Sequence, residues 1–180
     1  MQNKKVYILL TDTGTVFTRL IRLYTRKPYN HASISFDPSL ERVYSFGRKT
    51  AKNPFIGGFV QEDVKNGLFK QATGVVLSFT ITEQQWQQMR AYIQQLEEEK
   101  DKYRYNFLGL IAIIFNMPFN RKNAFFCSQF VASVLKESDI VDFDKPISLV
   151  TPHDLQQVNH FQAIYQGKLK DYKLQTVQNL

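Results

Sequence analysis

The spacing of apolar residues predicts strands in the first half of the chain and mostly helices in the second half. Short runs rich in β-branched and aromatic residues, bounded by turn residues, are typical of strands. Apolar residues three and four positions apart are typical of helices that bury one face. The strands predicted in this way cover residues 5–10, 31–36, 42–46, 59–64, 74–81 and 161–166. The predicted helices cover residues 13–25, 82–102, 107–115 and 127–137, with a short one that begins at 152.

Two of these helices have clear start signals. Thr82 is followed three residues later by Gln85, which is the pattern of a capping box. Thr151 precedes Pro152, a pairing that places a hydroxyl at the N-cap and proline at the first helical position. The segment 107–115, FLGLIAIIF, is apolar throughout and predicts a buried core helix, with contact to a lipid as the alternative. It is too short to span a bilayer, which needs about 20 residues.

Strands that are segregated from the helices indicate an α+β fold, in which an antiparallel sheet packs against helices. The sequence of 180 residues contains neither a linker nor a low-complexity stretch. We therefore expect one domain over residues 1–180, large enough to bury a hydrophobic core.

The formal net charge is +7, which suits an anionic partner such as a membrane surface or an anionic polymer. We do not expect nucleic-acid binding, because the charges are scattered and no nucleic-acid recognition motif is present. The first residues are too polar for a signal peptide, and no apolar run is long enough for a transmembrane span. A cytoplasmic protein is the simplest expectation, and a single cysteine fits a reducing compartment.

Cys127 and His31 are the candidates for covalent chemistry. A thiol is a good nucleophile only as a thiolate, which a helix N-terminus and a nearby imidazole both favour. Cys127 lies where a polar loop gives way to a predicted helix, and His31 opens a predicted strand. His153 and His160 are less well placed to act as its base. Position alone leaves open that Cys127 and His31 are both structural residues.

Metal and cofactor chemistry are not indicated. The three histidines are far apart, and neither an HExxH motif nor a CxxC pair occurs. Glycine-rich nucleotide-binding motifs are also absent from the sequence. We expect neither a metal nor a cofactor.

Three segments together resemble the circularly permuted branch of the NlpC/P60 papain-like superfamily, the YiiX/YaeF-type amidases. PYNHASISF from Pro28 resembles the histidine strand of that family, and FCSQFVA from Phe126 resembles its nucleophile helix. TPHDL from Thr151 resembles a segment downstream of the nucleophile, and YNFLG from Tyr105 is a weaker fourth match. In unpermuted papain-like enzymes the cysteine precedes the histidine. Here the histidine comes first, as in the permuted branch.

The resemblance implies a cysteine hydrolase with an antiparallel sheet or small barrel packed against helices. Cys127 would attack an amide carbonyl of a peptide-like substrate, His31 would act as general base, and the Cys127 backbone amide would stabilise the oxyanion. Tyr29 would lie close to the substrate. The family often has an acidic residue or a second histidine on the strand after the histidine strand. The matching residue here is Ser45, which cannot supply a charge, and Glu62 is the substitute.

Two other functions stay open from the sequence. One is acyl hydrolysis or acyl transfer on a lipid, as in the related lecithin-retinol acyltransferase branch, with peripheral contact to a membrane. The other is a binding module that has lost catalysis, which the serine at position 45 would explain. The sequence decides neither the substrate nor the oligomeric state.

Overall fold

The computed structural model describes residues 3–13, 26–48, 57–69 and 71–172. These residues form an α+β fold in which an antiparallel sheet packs against helices. The strands are β1 Lys4–Asp12, β2 His31–Ser35, β3 Val43–Arg48, β4 Gly57–Glu62, β5 Thr73–Ile81, β6 Arg104–Tyr105, β7 Ala124–Phe125 and β8 Gln162–Lys168. The helices are α1 Glu83–Glu98, α2 Phe107–Ile114, α3 Cys127–Glu137 and α4 Pro152–Gln156.

Six of the strands form one sheet in the order β4-β3-β2-β1-β5-β8, and every neighbouring pair is antiparallel. The central strand β1 is buried on both faces, as its nearly continuous apolar run predicts. Val6, Ile8 and Leu10 face the larger core, while Tyr7 and Leu9 face a smaller one on the opposite side. The short strands β6 and β7 pair separately, in parallel.

The helix α3 fills the larger core. Its residues from Cys127 to Leu135 are all buried, and it packs against β2 and β3 on one side and α1 on the other. Three aromatic rings, those of Phe46, Phe59 and Phe130, meet at this interface with centroids less than 6 Å apart. This packing fixes the first turn of α3 relative to the ends of β2 and β3.

Both predicted helix starts are confirmed. Thr82 and Gln85 form the capping box of α1, whose buried stripe of Met89, Ile93 and Leu96 faces the core. Thr151 caps α4 with Pro152 at its first position, and Asp154 completes a second capping box. The helix α1 ends at Glu98, four residues before the predicted boundary.

The prediction of a buried helix over residues 107–115 is wrong in its environment. The helix forms, but only Gly109 is buried within it, and Leu108 and Phe115 are exposed by 52% and 69%. This helix was expected in the core because its side chains are apolar, and burial is the usual way to remove apolar side chains from water. Here one side of α2 lines an open cleft and the other faces solvent.

One predicted element falls almost entirely outside the described residues. It is the helix predicted over 13–25, of which only Thr13 lies in a described range. None of the helices in the described part of the chain combines the length and apolar character that a bilayer crossing requires.

Candidate active site

Cys127 is the first residue of α3, is buried, and lines a cleft. Phe126 precedes it as an extended N-cap residue whose side chain makes no capping hydrogen bond. The first helical hydrogen bond runs from the Phe130 amide to the Phe126 carbonyl at 2.9 Å. The amides of the first helical turn, including that of Cys127, therefore have no acceptor within the helix. Such amides can stabilise an anion that forms next to the sulfur.

His31 links the cysteine to a carboxylate. Its imidazole lies close enough to Cys127 for the two side chains to interact electrostatically. Its Nε2 atom lies 2.6 Å from Oε1 of Glu62, and both side chains are largely buried. Because Glu62 holds Nε2, Nδ1 is the ring nitrogen left for the proton of Cys127. Cys127, His31 and Glu62 are far apart in the sequence, and the fold brings them together.

The environment of His31 favours its charged form. Burial by itself lowers the pKa of the imidazole, but the charges of Glu62 and Cys127 and the hydrogen bonds to both act in the opposite direction. The result is a pKa raised well above 6.5. The surroundings of His31 therefore favour the imidazolium over the neutral ring.

Glu62, at the end of β4, is the acidic partner of this histidine. Its Oε1 accepts from His31, while Oε2 is buried and has no hydrogen-bond partner among the described residues. A buried carboxylate is stable only when a neighbouring charge or donor compensates for its lost hydration. The proximity of the imidazole supplies that compensation.

Ser45 is buried on β3 beside the same ring but is bound elsewhere. Its hydroxyl donates to the Ala32 carbonyl at 2.8 Å, and its oxygen lies 3.4 Å from Nε2 of His31. The contact with His31 is therefore much longer than that of Glu62. Of the two residues named from the sequence for the third position, the structure brings Glu62 closer to His31.

The cleft beside Cys127 has a volume of about 220 Å³ and a mainly apolar lining. Leu110, Ile113 and Ile114 of α2 form one wall. Tyr29 lies in the cleft as well, and burial raises the pKa of its phenol, against the lowering effect of a hydrogen bond to Gln166. Tyr29 therefore lines the same cleft as Cys127, and its proximity to a substrate stays a prediction.

The TPHDL segment forms another part of the rim. Thr151, Pro152 and His153 line the cleft, and Ser128 of α3 donates to the Val150 carbonyl at 2.7 Å. This buried hydrogen bond ties the rim to the helix that carries the cysteine. His160 lies apart from the cleft and packs against Phe79 and Phe161.

A polar network under α2 could not be read from the sequence. Asn106 is fully buried, caps α2 by accepting from the Gly109 amide at 3.0 Å, and donates to the Phe119 carbonyl. Gln129 of α3 lies within 3.4 Å of its amide and donates to Asn120. The only sequence signal was that both residues fall in segments resembling the permuted family, at YNFLG and FCSQF.

Among the described residues, no group of three or more histidine, cysteine or acidic side chains is placed to hold a metal ion. The site itself contains a buried thiol, an imidazole and a carboxylate, next to the amides at the start of α3.

Comparisons of the chain with protein-family models, with curated proteins and with solved structures found no match. The resemblance to the permuted NlpC/P60 superfamily thus depends on the sequence segments quoted above. The structure itself shows an α+β chain in which His31 binds Glu62 and interacts electrostatically with Cys127.

Proposed function

We propose that this chain is a cysteine hydrolase with a circularly permuted papain-like fold, which cleaves an amide bond through an acyl-enzyme on Cys127. The observation that carries the proposal is the series of contacts from Cys127 to His31 and from His31 to Glu62 at 2.6 Å. A nucleophile, a base and a group that orients the base are the three parts of this type of catalysis.

In the first step the proton of Cys127 passes to His31, whose raised pKa favours the imidazolium. The sulfur attacks the carbonyl carbon, and the electron pair of the C=O double bond moves onto oxygen. The Cys127 amide, at the start of α3, stabilises that oxyanion.

The second step releases the amine and then the acid. When the tetrahedral intermediate collapses, the C–N bond breaks and the His31 imidazolium gives its proton to the leaving amine. Neutral His31 then takes a proton from water, whose oxygen attacks the thioester. The acid leaves, and the thiolate and imidazolium are restored.

Glu62 acts as a positioning residue in this scheme. Its carboxylate accepts from Nε2, which keeps Nδ1 directed at the sulfur and stabilises the imidazolium by charge. Ser45 supports the strand through its bond to Ala32 and contributes no charge. The third position is therefore assigned to Glu62.

A second candidate is hydrolysis or transfer of an acyl group from a lipid ester. The specific observation in its favour is the aliphatic wall formed by Leu110, Ile113 and Ile114 beside Cys127. A cleft of about 220 Å³ is smaller than typical small-molecule sites, so it would take one side chain or the first part of an acyl chain.

A panel of activated substrates tests both candidates. Aryl amides and aryl esters that carry the same acyl group, from acetyl to octanoyl, are incubated with the protein, and the mass of the Cys127 adduct and the released arene are measured. We expect an acyl adduct on Cys127 that is lost in Cys127→Ser and His31→Ala but kept in the control His160→Ala. Turnover of the amides supports the hydrolase. Turnover of esters alone, rising with chain length, supports the lipid candidate.

The same panel can contradict the proposal. If no substrate acylates Cys127, and the rates equal those of Cys127→Ser, neither reaction takes place at this site. The chain would then be a binding module that retains the arrangement of a cysteine enzyme.

A further inference from the structure

Large apolar side chains are exposed together on α2 and the loop that follows it. Leu108, Ile111, Phe115, Met117 and Phe119 are between 37% and 69% exposed, and we call them the α2 apolar surface. In the described part of the chain, Ile164 on β8 is the one other large apolar side chain with comparable exposure. A concentration of this kind marks a binding surface more often than isolated exposed residues do.

The geometry of the helix separates this surface from the cleft. Leu108, Ile111 and Phe115 are spaced at three and four residues, so they lie on the same side of α2. Leu110, Ile113 and Ile114 lie on the side that lines the cleft beside Cys127. Substrate contact explains the second set of residues and leaves the first set unexplained.

The charged residues in the stretch of chain that carries this surface are all basic. Residues 102–136 contain five basic residues and not one aspartate or glutamate. Arg121 and Lys122 follow the apolar surface directly, are exposed, and form no ion pair with any residue in the described ranges. Apolar side chains bordered by basic ones fit an interface with an apolar interior and anionic groups at its edge.

We propose that the α2 apolar surface docks the protein on an anionic lipid bilayer, with Leu108, Ile111 and Phe115 in the acyl region and Arg121 and Lys122 at the headgroups. Docking in this way places at the membrane the helix α2, whose other side lines the cleft beside Cys127. A second copy of the chain fits the surface less well, because a symmetric contact would bring the same cations of both copies together. The docking does not require that Cys127 be catalytic.

Vesicle sedimentation tests the proposal with the full chain. The protein is mixed with vesicles of phosphatidylcholine alone, or of phosphatidylcholine with phosphatidylglycerol, and the bound fraction is measured. We expect binding to the anionic vesicles that weakens with added salt, since salt screens the charge attraction. Phe115→Glu and Ile111→Glu should each weaken vesicle binding by about tenfold or more. Each variant removes an apolar side chain that would be buried in the membrane and adds a negative charge that the anionic lipids repel.

Matched variants separate docking from folding and from chemistry. Ile164→Glu changes an exposed apolar residue of β8 in the same way and should leave vesicle binding unchanged. Arg121→Gln with Lys122→Gln should remove the preference for anionic vesicles. In solution without vesicles, alkylation of Cys127 should be the same in Phe115→Glu as in the unchanged protein, which shows that the variant is folded and the site intact.

Three outcomes would overturn the proposal. Equal binding to both vesicle types would remove the role of charge, and equal binding by Phe115→Glu and Ile164→Glu would remove the role of the surface. Failure to bind either vesicle, together with a dimer that Phe115→Glu dissociates in sedimentation equilibrium, would assign the surface to a second copy of the chain.

Discussion

At the scale of single residues, the charge on His31 decides what the site can do. Burial opposes that charge, and the nearby Glu62 and Cys127 favour it more strongly, so the pKa rises well above 6.5. An imidazolium beside a thiol is the arrangement that produces a nucleophilic thiolate. Without Glu62 the balance would move back toward the neutral ring, because Ser45 supplies only a long contact at 3.4 Å.

Replacement of Glu62 tests this balance directly. In Glu62→Gln the carboxylate charge is lost while the shape is kept, so the pKa of His31 should fall toward or below 6.5. During a titration toward higher pH, the imidazolium would then lose its proton at a lower pH than in the unchanged protein. A smaller fraction of the imidazole would therefore be protonated at neutral pH. Titration of the imidazole nitrogens by NMR measures this pKa in both proteins.

Ser45→Ala is the matched control for that titration. It removes the hydroxyl near the same ring nitrogen but no charge, and the donor to Ala32 O is lost with it. We expect a shift in the pKa of His31 much smaller than that of Glu62→Gln. A shift of equal size would show that the serine, and not the carboxylate, holds the histidine.

At the scale of elements, α2 is positioned by a buried cap rather than by burial of its own side chains. Asn106 accepts from the Gly109 amide and reaches the Phe119 carbonyl, and its amide approaches Gln129 of α3. Gly109 permits this approach, since a Cβ built there would lie 2.7 Å from Cγ of Asn106. The apolar wall of the cleft therefore depends on one asparagine and one glycine.

Gly109→Ala should destabilise the protein by about 2 kcal/mol, because the added methyl forces the Asn106 cap out of place. In an ordinary exposed helix the same substitution would stabilise by roughly 0.5–1 kcal/mol. Urea unfolding gives the free energy of unfolding for each variant. The sign of the change thus distinguishes a tight cap from a permissive helix position.

The double variant completes that test. When Asn106→Ala is already present, the clash is gone, and adding Gly109→Ala should cost little or stabilise. If Gly109→Ala is equally destabilising in both backgrounds, the glycine is required for a reason other than the asparagine cap.

The elements also show how far periodicity reaches. Helix starts at Thr82 and Thr151 were predicted correctly because a capping box, and an N-cap threonine followed by proline, are local patterns of side chain and backbone. The environment of α2 was not predicted correctly, because its apolar sequence is compatible both with a buried core helix and with a helix that lines an open cleft. Burial is decided by which elements pack nearby, and a single segment does not contain that information.

At the scale of the whole molecule, the candidate site joins β2, β4 and the first turn of α3. Cys127 and His31 could be named from the sequence because each lies at a recognisable boundary and in a segment resembling the permuted family. The choice between Ser45 and Glu62 could not be made, because it depends on strand pairing. Val43 pairs with Glu62 and Ser45 with Val60, across a connection with no clear pattern of its own.

The reactivity of Cys127 tests the central claim, that the fold assembles an activated thiol, most directly. Because Cys127 is the single cysteine of the chain, one adduct per chain reports on it alone. Iodoacetamide is added at about pH 6, well below the ordinary thiol pKa of about 8.5, and the adduct is followed by mass spectrometry. The folded protein, His31→Ala, His160→Ala and the urea-unfolded chain are compared.

We expect the folded protein and His160→Ala to be alkylated at least about tenfold faster than the unfolded chain, and His31→Ala to lose this advantage. Alkylation of the folded protein at or below the rate of the unfolded chain would contradict the account. Cys127 would then be a buried structural thiol, and its contact with His31 would have no catalytic meaning.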